Sequence, residues 1–181
     1  IFSEKLRVTM VARLLKDKGV RELIKAGQIL KQNKAPVQLL LVGDCDSSNP
    51  ASMKKEDIQE AHDLGYINWL GFKNDIAEVY RNTDVAILPS YREGLPKSLT
   101  EACAAGLPII TTDTPGCREV VIDGENGFLV PLKDSDSIVS KIEFFEKNRY
   151  AIEKMGQKSR ALAEDKFDVN KVLDSFNAIY N

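Results

Sequence analysis

Asp84-Val85-Ala86-Ile87-Leu88-Pro89-Ser90-Tyr91-Arg92-Glu93-Gly94-Leu95-Pro96-Lys97-Ser98-Leu99-Thr100-Glu101-Ala102 decides the reading of this chain. Its first five residues are a short, mostly apolar run of the kind that forms a buried strand. Pro89 and Ser90 stop that run, and Ser98 to Ala105 resumes with helical apolar spacing. Strand, polar loop and helix in this order are one step of an alternating β-α pattern. Pro96 suits a first helical turn, because its missing N–H has no intrahelical partner there anyway. The amides of Lys97, Ser98 and Leu99 then point out of the helix end, which attracts anions. Gly94 lets the backbone pass close to a ligand. Glu93 and Glu101 can each accept hydrogen bonds from hydroxyl groups, although by spacing alone they are equally a loop charge and an exposed helix residue.

The rest of the chain repeats the pattern. Strands are expected at Leu6–Ala12, Val37–Val42, Ile67–Phe72, Asp84–Leu88, Pro108–Thr111 and Phe128–Pro131. Helices are expected at Val20–Asn33, Lys54–Asp63, Ser135–Asn148, Ala151–Asp165 and Val169–Tyr180. A further helix runs through Tyr80, capped by Asn74 or Asp75, and a short helical turn covers Arg118 to Ile122. This alternation predicts an α/β fold: a Rossmann-like, doubly wound, mainly parallel six-stranded sheet with helices on both faces. Ligands in such folds sit at the carboxyl ends of the strands. The loops after Ala12, Val42, Ser90 and Thr111, and the Gly71-Phe72 exit, all fall there.

Bulk properties narrow the classes. The 181 residues are enough for one domain with a sizeable core. Net charge is −2, which gives no overall basic field for nucleic acid. Apolar runs such as Val37–Val42 are far too short to span a bilayer. Three cysteines, Cys45, Cys103 and Cys117, without paired spacing argue against a disulfide framework and fit a reducing cytosol. Cys103, on an apolar helix face, reads as a small buried hydrophobe. The chain begins at Ile1 without Met or signal peptide and enters a strand almost at once, which suggests a cut at an interdomain linker.

Arg13 and Lys18 flank a short loop between a strand and a helix. Two cations beside helix amides suit a diphosphate, against the plain alternative of two solvated surface charges. No Gly-x-Gly-x-x-Gly follows a strand and no Gly-x-x-x-x-Gly-Lys-Ser/Thr occurs, which disfavours dinucleotide oxidoreductases and P-loop enzymes. His62, the single histidine, has no metal or triad partner in sequence. Asp44-Cys45-Asp46 has the Asp-x-Asp form of a metal-binding site in another transferase fold, but its turn-forming neighbours point to an Asx turn.

Glu93 through Glu101 has the Glu-x7-Glu form. It stands in order with Ala12-Arg13…Lys18-Gly19, Leu41-Val42-Gly43-Asp44, Trp69-Leu70-Gly71-Phe72, Pro108-Ile109-Ile110-Thr111, Pro115-Gly116…Glu119 and Gly124-Glu125-Asn126-Gly127-Phe128-Leu129-Val130. Together these resemble the C-terminal, donor-binding half of a family 4 retaining glycosyltransferase of the two-domain GT-B fold. The Pro-Gly-Cys-Arg-Glu run and the Asp46–Ser52 loop are most similar to bacterial enzymes extending lipid-linked oligosaccharides for O-antigen or capsule.

The resemblance implies roles. Arg13 and Lys18 bind the donor diphosphate and stabilise the leaving nucleotide, with Glu93 holding hydroxyls of the donor sugar near the reacting carbon. Glu101 holds the ribose hydroxyls. Gly94, Leu95, Pro96, Lys97, Ser98 and Leu99 present backbone to sugar and phosphates. Gly71 and Phe72 line the base site, and Gly43 lets the nucleotide approach the strand end. It implies a UDP-sugar donor, with N-acetylhexosamine preferred, a lipid-linked saccharide acceptor, and no metal or other cofactor. Acceptor contacts belong to an N-terminal domain absent from residues 1–181, and 169–181 is the helix that crosses to it. The setting implied is cytoplasmic, peripheral at the inner face of a bacterial membrane. A non-enzymatic nucleotide- or carbohydrate-binding module and a GT-B-like UDP-sugar epimerase are the competing readings. The epimerase relies on more histidine and acidic machinery than this chain has.

Overall fold

Six apolar runs become six strands, and their order places everything else. The computed structural model describes residues 4–168. The strands are β1 (Leu6–Val11), β2 (Val37–Val42), β3 (Asn68–Trp69), β4 (Val85–Leu88), β5 (Ile109–Thr112) and β6 (Gly127–Val130). The helices are α1 (Val20–Gln32), α2 (Lys55–Asp63), α3 (Ile76–Arg81), α4 (Lys97–Ala104), α5 (Pro115–Arg118), α6 (Ser135–Lys147) and α7 (Arg149–Lys166), with a 3-10 turn at Lys16–Lys18.

All strand pairs are parallel, in the order β3-β2-β1-β4-β5-β6. The chain starts at the centre on β1, winds outward through β2 to β3, and returns to β4 on the other side of β1. Right-handed crossovers in opposite directions put α1 and α4 on opposite faces of the sheet. Helix α1 packs with α6, and α4 with α7. With both faces covered, every residue of β4 and β5 is buried, as parallel sheets require. Leu6, Met10, Leu14, Leu99, Ile110 and Phe145 are among the largest side chains withdrawn completely from water.

The central pair is fixed by a polar clasp. Asp84 accepts from the Arg7 amide at 2.8 Å and pairs with the Arg7 guanidinium at 3.1 Å. Charge-assisted bonds of this kind are roughly twice as strong as neutral ones. The clasp sets the register of β1 against β4, and that seam is where the strand order reverses.

Several boundaries differ from the sequence reading. Strand β3 is only two residues long: after a last ladder bond from the Leu70 amide to the Leu41 carbonyl, Gly71 turns the chain away at φ 67°. The helix expected at Arg118–Ile122 lies earlier, at Pro115–Arg118. Pro115 takes the first helical position, where the lost donor is harmless. The amides of Cys117 and Arg118 both reach the Thr114 carbonyl. Helix α7 begins at Arg149, two residues before the expected Ala151. Asp75, not Asn74, caps α3 by accepting from the Glu78 amide at 2.8 Å. Cys103 is fully buried, as expected. The helix expected at Val169–Tyr180 lies outside the described residues.

Among the described residues no helix is long and apolar enough to cross a membrane.

Candidate functional site

The carboxyl ends of β1, β2 and β4 surround a cleft of about 580 Å³ at the reversal of strand order. Strand β1 contributes Val11, and the loop and turn after it contribute Ala12, Arg13 and Lys18. The loop and helix after β4 contribute Glu93, Pro96, Lys97, Ser98 and Glu101. Gly43 and Asp44 follow β2, while Phe72, Lys73 and Asn74 follow β3. Sequence separation therefore gives way to proximity, as the fold class demands.

The two loops that carry Lys18 and Glu93 are locked together. Gly19 sits at φ 77°, and a methyl group on it would overlap the Pro89 carbonyl. Only glycine allows this left-handed turn to lie against the exit of β4. The Asp17 carbonyl then accepts from the Tyr91 amide at 2.8 Å and the Ser90 hydroxyl at 3.0 Å. The Ser90 carbonyl accepts in turn from the Thr112 hydroxyl. The Tyr91 hydroxyl donates to Glu22 at 2.7 Å, and its pKa is pushed up to about 12, first by burial and then by the Glu22 carboxylate. From the other side Gly116 of α5 abuts the Glu93 and Gly94 carbonyls with no room for a side chain.

This frame brings Lys18 and Glu93 into an ion pair. Lys18 Nζ lies 2.7 Å from Glu93 Oε1, with side chains only 19% and 11% exposed. Arg13 is different: it is exposed, lines the cleft, and its side chain makes no hydrogen bond or ion pair among the described residues. Its loop is steadied by the segment after β2, through Leu14 to Asp44 (3.2 Å), Met53 to Leu14 (2.8 Å) and Lys16 to Ala51 (2.9 Å) main-chain bonds.

The start of α4 refines the expected set. Pro96 is the residue before the helix, and its carbonyl accepts from the amides of Leu99 (3.0 Å) and Thr100 (3.1 Å). The Leu99 amide is therefore already used and its side chain is 1% exposed in the core, so Leu99 turns neither toward the cleft. Lys97 and Ser98 keep amides with no main-chain acceptor among the described residues, and both line the cleft. The Tyr80 hydroxyl donates to the Ser98 carbonyl at 2.7 Å and holds this first turn in place. Burial, followed by the charge of Glu101, raises the Tyr80 pKa, so it stays a donor. Glu101 is 37% exposed and lies 3.5 Å from Lys97, an i,i+4 pair worth a few tenths of a kcal/mol, or about 0.3–0.5.

Three further residues expected at the site lie outside the cleft lining. Leu95 is 56% exposed and is not part of the cleft lining. Gly94 is outside the lining too, and its fixed contact is its carbonyl against Gly116. Gly71 does not line the cleft either; its carbonyl accepts from the Gly43 amide at 2.9 Å, so it supports the wall instead of forming it. Gly43 does line the cleft, yet its glycine identity has another cause. It has φ 136°, and a methyl group there would collide with the Ala12 carbonyl.

Sequence reasoning missed Asp44, Lys73 and Asn74 as cleft residues, although their places after strands carried the signal. Nothing in sequence pointed to Tyr80. His62 accepts from the Trp69 amide through Nδ1 at 3.2 Å, and Trp69 Nε1 donates to the Gly43 carbonyl at 2.8 Å. Both are spent on holding the strand ends. Asp46 accepts from the Ser48 amide and hydroxyl, the expected Asx turn, which lowers its pKa. Among the described residues no group of three or more His, Cys, Asp and Glu side chains is placed to hold a metal ion.

The cleft thus offers four cations, two free helix amides and three carboxylates around a partly apolar floor. That set can bind a polyanion bearing hydroxyl groups. The sequence profile described as glycosyl transferases group 1 matches residues 1–162. The chain belongs to the group 1 glycosyl transferases. Capsular polysaccharide biosynthesis glycosyltransferase CapM of Staphylococcus aureus is 29% identical over 181 residues, all of this chain and 47% of that protein. The N,N'-diacetylbacillosaminyl-diphospho-undecaprenol alpha-1,3-N-acetylgalactosaminyltransferase of Campylobacter jejuni is 35% identical over 135 residues, 75% of this chain and 34% of that protein. The structure of Anabaena HepE in complex with UDP superposes with a TM-score of 0.88 at 23% identity, over 98% of this chain and 49% of that one. This group 1 chain spans about half the length, or less, of the curated relatives it matches. Its Rossmann-like sheet is the one found in its GT-B neighbours, as the motifs implied.

Proposed function

We propose that the cleft is the donor site of a retaining glycosyltransferase. In this reading the chain is the donor-binding half of an enzyme of bacterial surface-polysaccharide assembly. The enzyme moves a sugar, N-acetylhexosamine in our reading, from a UDP-sugar to a lipid-linked saccharide. The observation that carries the proposal is the meeting of Arg13, Lys18, Glu93, Ser98 and Glu101 in one cleft at the switch point of the sheet. Names among the relatives, with capsule and diphospho-undecaprenol in them, support the acceptor class. The UDP in the HepE structure supports the nucleotide.

The roles are those the family resemblance implies, and the chemistry of the cleft fits them. Arg13 is unpaired and free to meet a phosphate, with Lys18 beside it. The amides of Lys97 and Ser98 complete an anion site at a helix start. Charge develops on the departing diphosphate, and cations already in place stabilise it without reorganising. Glu93 reads hydroxyls of the sugar, Glu101 those of the ribose, and the backbone near Phe72 faces the base. No metal is part of this proposal, and no glutamate is assigned as a covalent nucleophile. Acceptor binding falls to an N-terminal domain beyond residues 1–181. Calorimetry with UDP, GDP and UDP-N-acetylglucosamine, with and without EDTA, tests the reading. UDP binding that survives EDTA and is lost in Arg13→Ala/Lys18→Ala supports it. Equal binding by the double variant removes the diphosphate assignment.

A further inference from the structure

The Lys18–Glu93 pair has a consequence beyond holding a sugar, and it rests on the donor-site reading above. The charged residues lining the cleft are Arg13, Lys18, Lys73 and Lys97 against Asp44, Glu93 and Glu101, one net positive charge. Glu93 cancels Lys18 at 2.7 Å and Glu101 faces Lys97 at 3.5 Å. Arg13 and Lys73 are left against Asp44. For a site meant to take a diphosphate this is a weak positive field.

The backbone that carries Glu93 is held in that field. The Glu93 carbonyl and that of Gly94 rest on Gly116, and Ser90 and Tyr91 just before it are bonded to Asp17. Its side chain is 11% exposed, so solvent screens its charge poorly. A carboxylate fixed beside the anion site acts on whatever anion enters.

A nucleotide sugar and the free nucleoside diphosphate differ in charge at one place. In the sugar ester the outer phosphate carries a single charge. Once free, a terminal phosphate carries about −1.5 to −2 at pH 7. The added charge lies where the sugar was attached, the place assigned to Glu93. We infer that Glu93 is a specificity-determining residue that disfavours the free nucleoside diphosphate: by pairing with Lys18 and repelling the terminal phosphate, it makes the cleft prefer the esterified donor and release the product.

The test uses the chain, its Glu93→Gln variant, and three ligands: UDP, UDP-glucose and the methyl ester of UDP at its terminal phosphate. The methyl ester separates charge from sugar contacts. The unaltered chain is expected to bind the methyl ester more tightly than UDP. Glu93→Gln removes the charge, leaves Lys18 unpaired, and is expected to bind UDP about three- to tenfold more tightly. Its preference for the methyl ester over UDP should shrink accordingly. Glu93→Gln binding UDP no more tightly, or the methyl ester binding the unaltered chain no better than UDP, overturns the inference. The second comparison needs no variant and decides the matter if Glu93→Gln does not fold. If no uridine nucleotide binds the unaltered chain, the donor-site reading itself fails, a separate outcome.

Discussion

Replacing Gly116 with alanine tests whether the cleft is held by packing and not by the bound ligand. A methyl group built on Gly116 stands 2.0 Å from the Gly94 carbonyl oxygen and 2.3 Å from that of Glu93. Reaching 3.0 Å, the shortest separation that real Cβ atoms keep, takes a displacement of at least 1.0 Å. The obstacles are backbone atoms, so no side chain can swing aside. Overpacking of this kind costs about 1–3 kcal/mol. For a domain of this size each kcal/mol lowers Tm by about 2–4 °C. The loop that must yield carries Glu93, and a misplacement near 1 Å can cost as much as about a hundredfold in activity. The expected result in Gly116→Ala is a lowered Tm together with weakened UDP-sugar binding. UDP itself should be less affected, because the atoms nearest the added methyl group belong to Glu93 and Gly94, not to Arg13 or the α4 amides. Scanning calorimetry and titration calorimetry read the two effects. A Tm and a UDP-sugar affinity both equal to those of the unaltered chain would refute the argument.

Other perturbations report on single contacts. Tyr80→Phe removes only the hydroxyl that donates to the Ser98 carbonyl; a loss of about 0.5–1.5 kcal/mol in urea unfolding is expected, and no change in the midpoint contradicts the assignment. The Asp134 side chain caps α6, and the Ser137 hydroxyl and then its amide hold its pKa below the usual carboxylate value. A lowered folded-state value gives stability that is complete above the unfolded value and lost as pH falls through the lowered one. Asp134→Asn should therefore flatten the acid limb of the stability–pH curve below about pH 4 while leaving neutral pH nearly unchanged, since Asn also caps. Cys103 is buried and burial pushes its thiol up to about 11, while Cys117 is buried and Cys45 partly exposed. Ellman titration at pH 8 should find one accessible thiol in the native chain and three after denaturation; three fast thiols in the native chain contradict the packing.

How much of this was legible in sequence varies with the physics of each part. The sheet was readable because residues 39–42 and Val85–Leu88 are apolar runs that suit strands covered on both sides. The cleft was readable in outline because Arg13, Gly43, Phe72 and Glu93 each follow a strand, and a doubly wound sheet collects those ends. The Lys18–Glu93 pair was not readable, since 75 residues separate its members and its geometry depends on Gly19 meeting Pro89. The free amides of Lys97 and Ser98 were legible, but not the tight first turn in which the Leu99 amide bonds to the Pro96 carbonyl. Leu95 and Gly94 lie outside the cleft lining, because adjacency in a motif does not fix which way a loop residue faces. Gly43 and Gly116 show that a motif glycine can serve carbonyl packing around a site.

The central claim is that one cleft, at the β1–β4 seam, takes a nucleoside diphosphate sugar. Amide chemical-shift mapping with UDP tests it most directly. The account predicts that the largest shifts fall at residues 12–18, 43–44, 72–74 and 93–98, with Lys97 and Ser98 prominent. Largest shifts at the opposite end of the sheet, in the basic groove near Lys31 and Lys34, would contradict it.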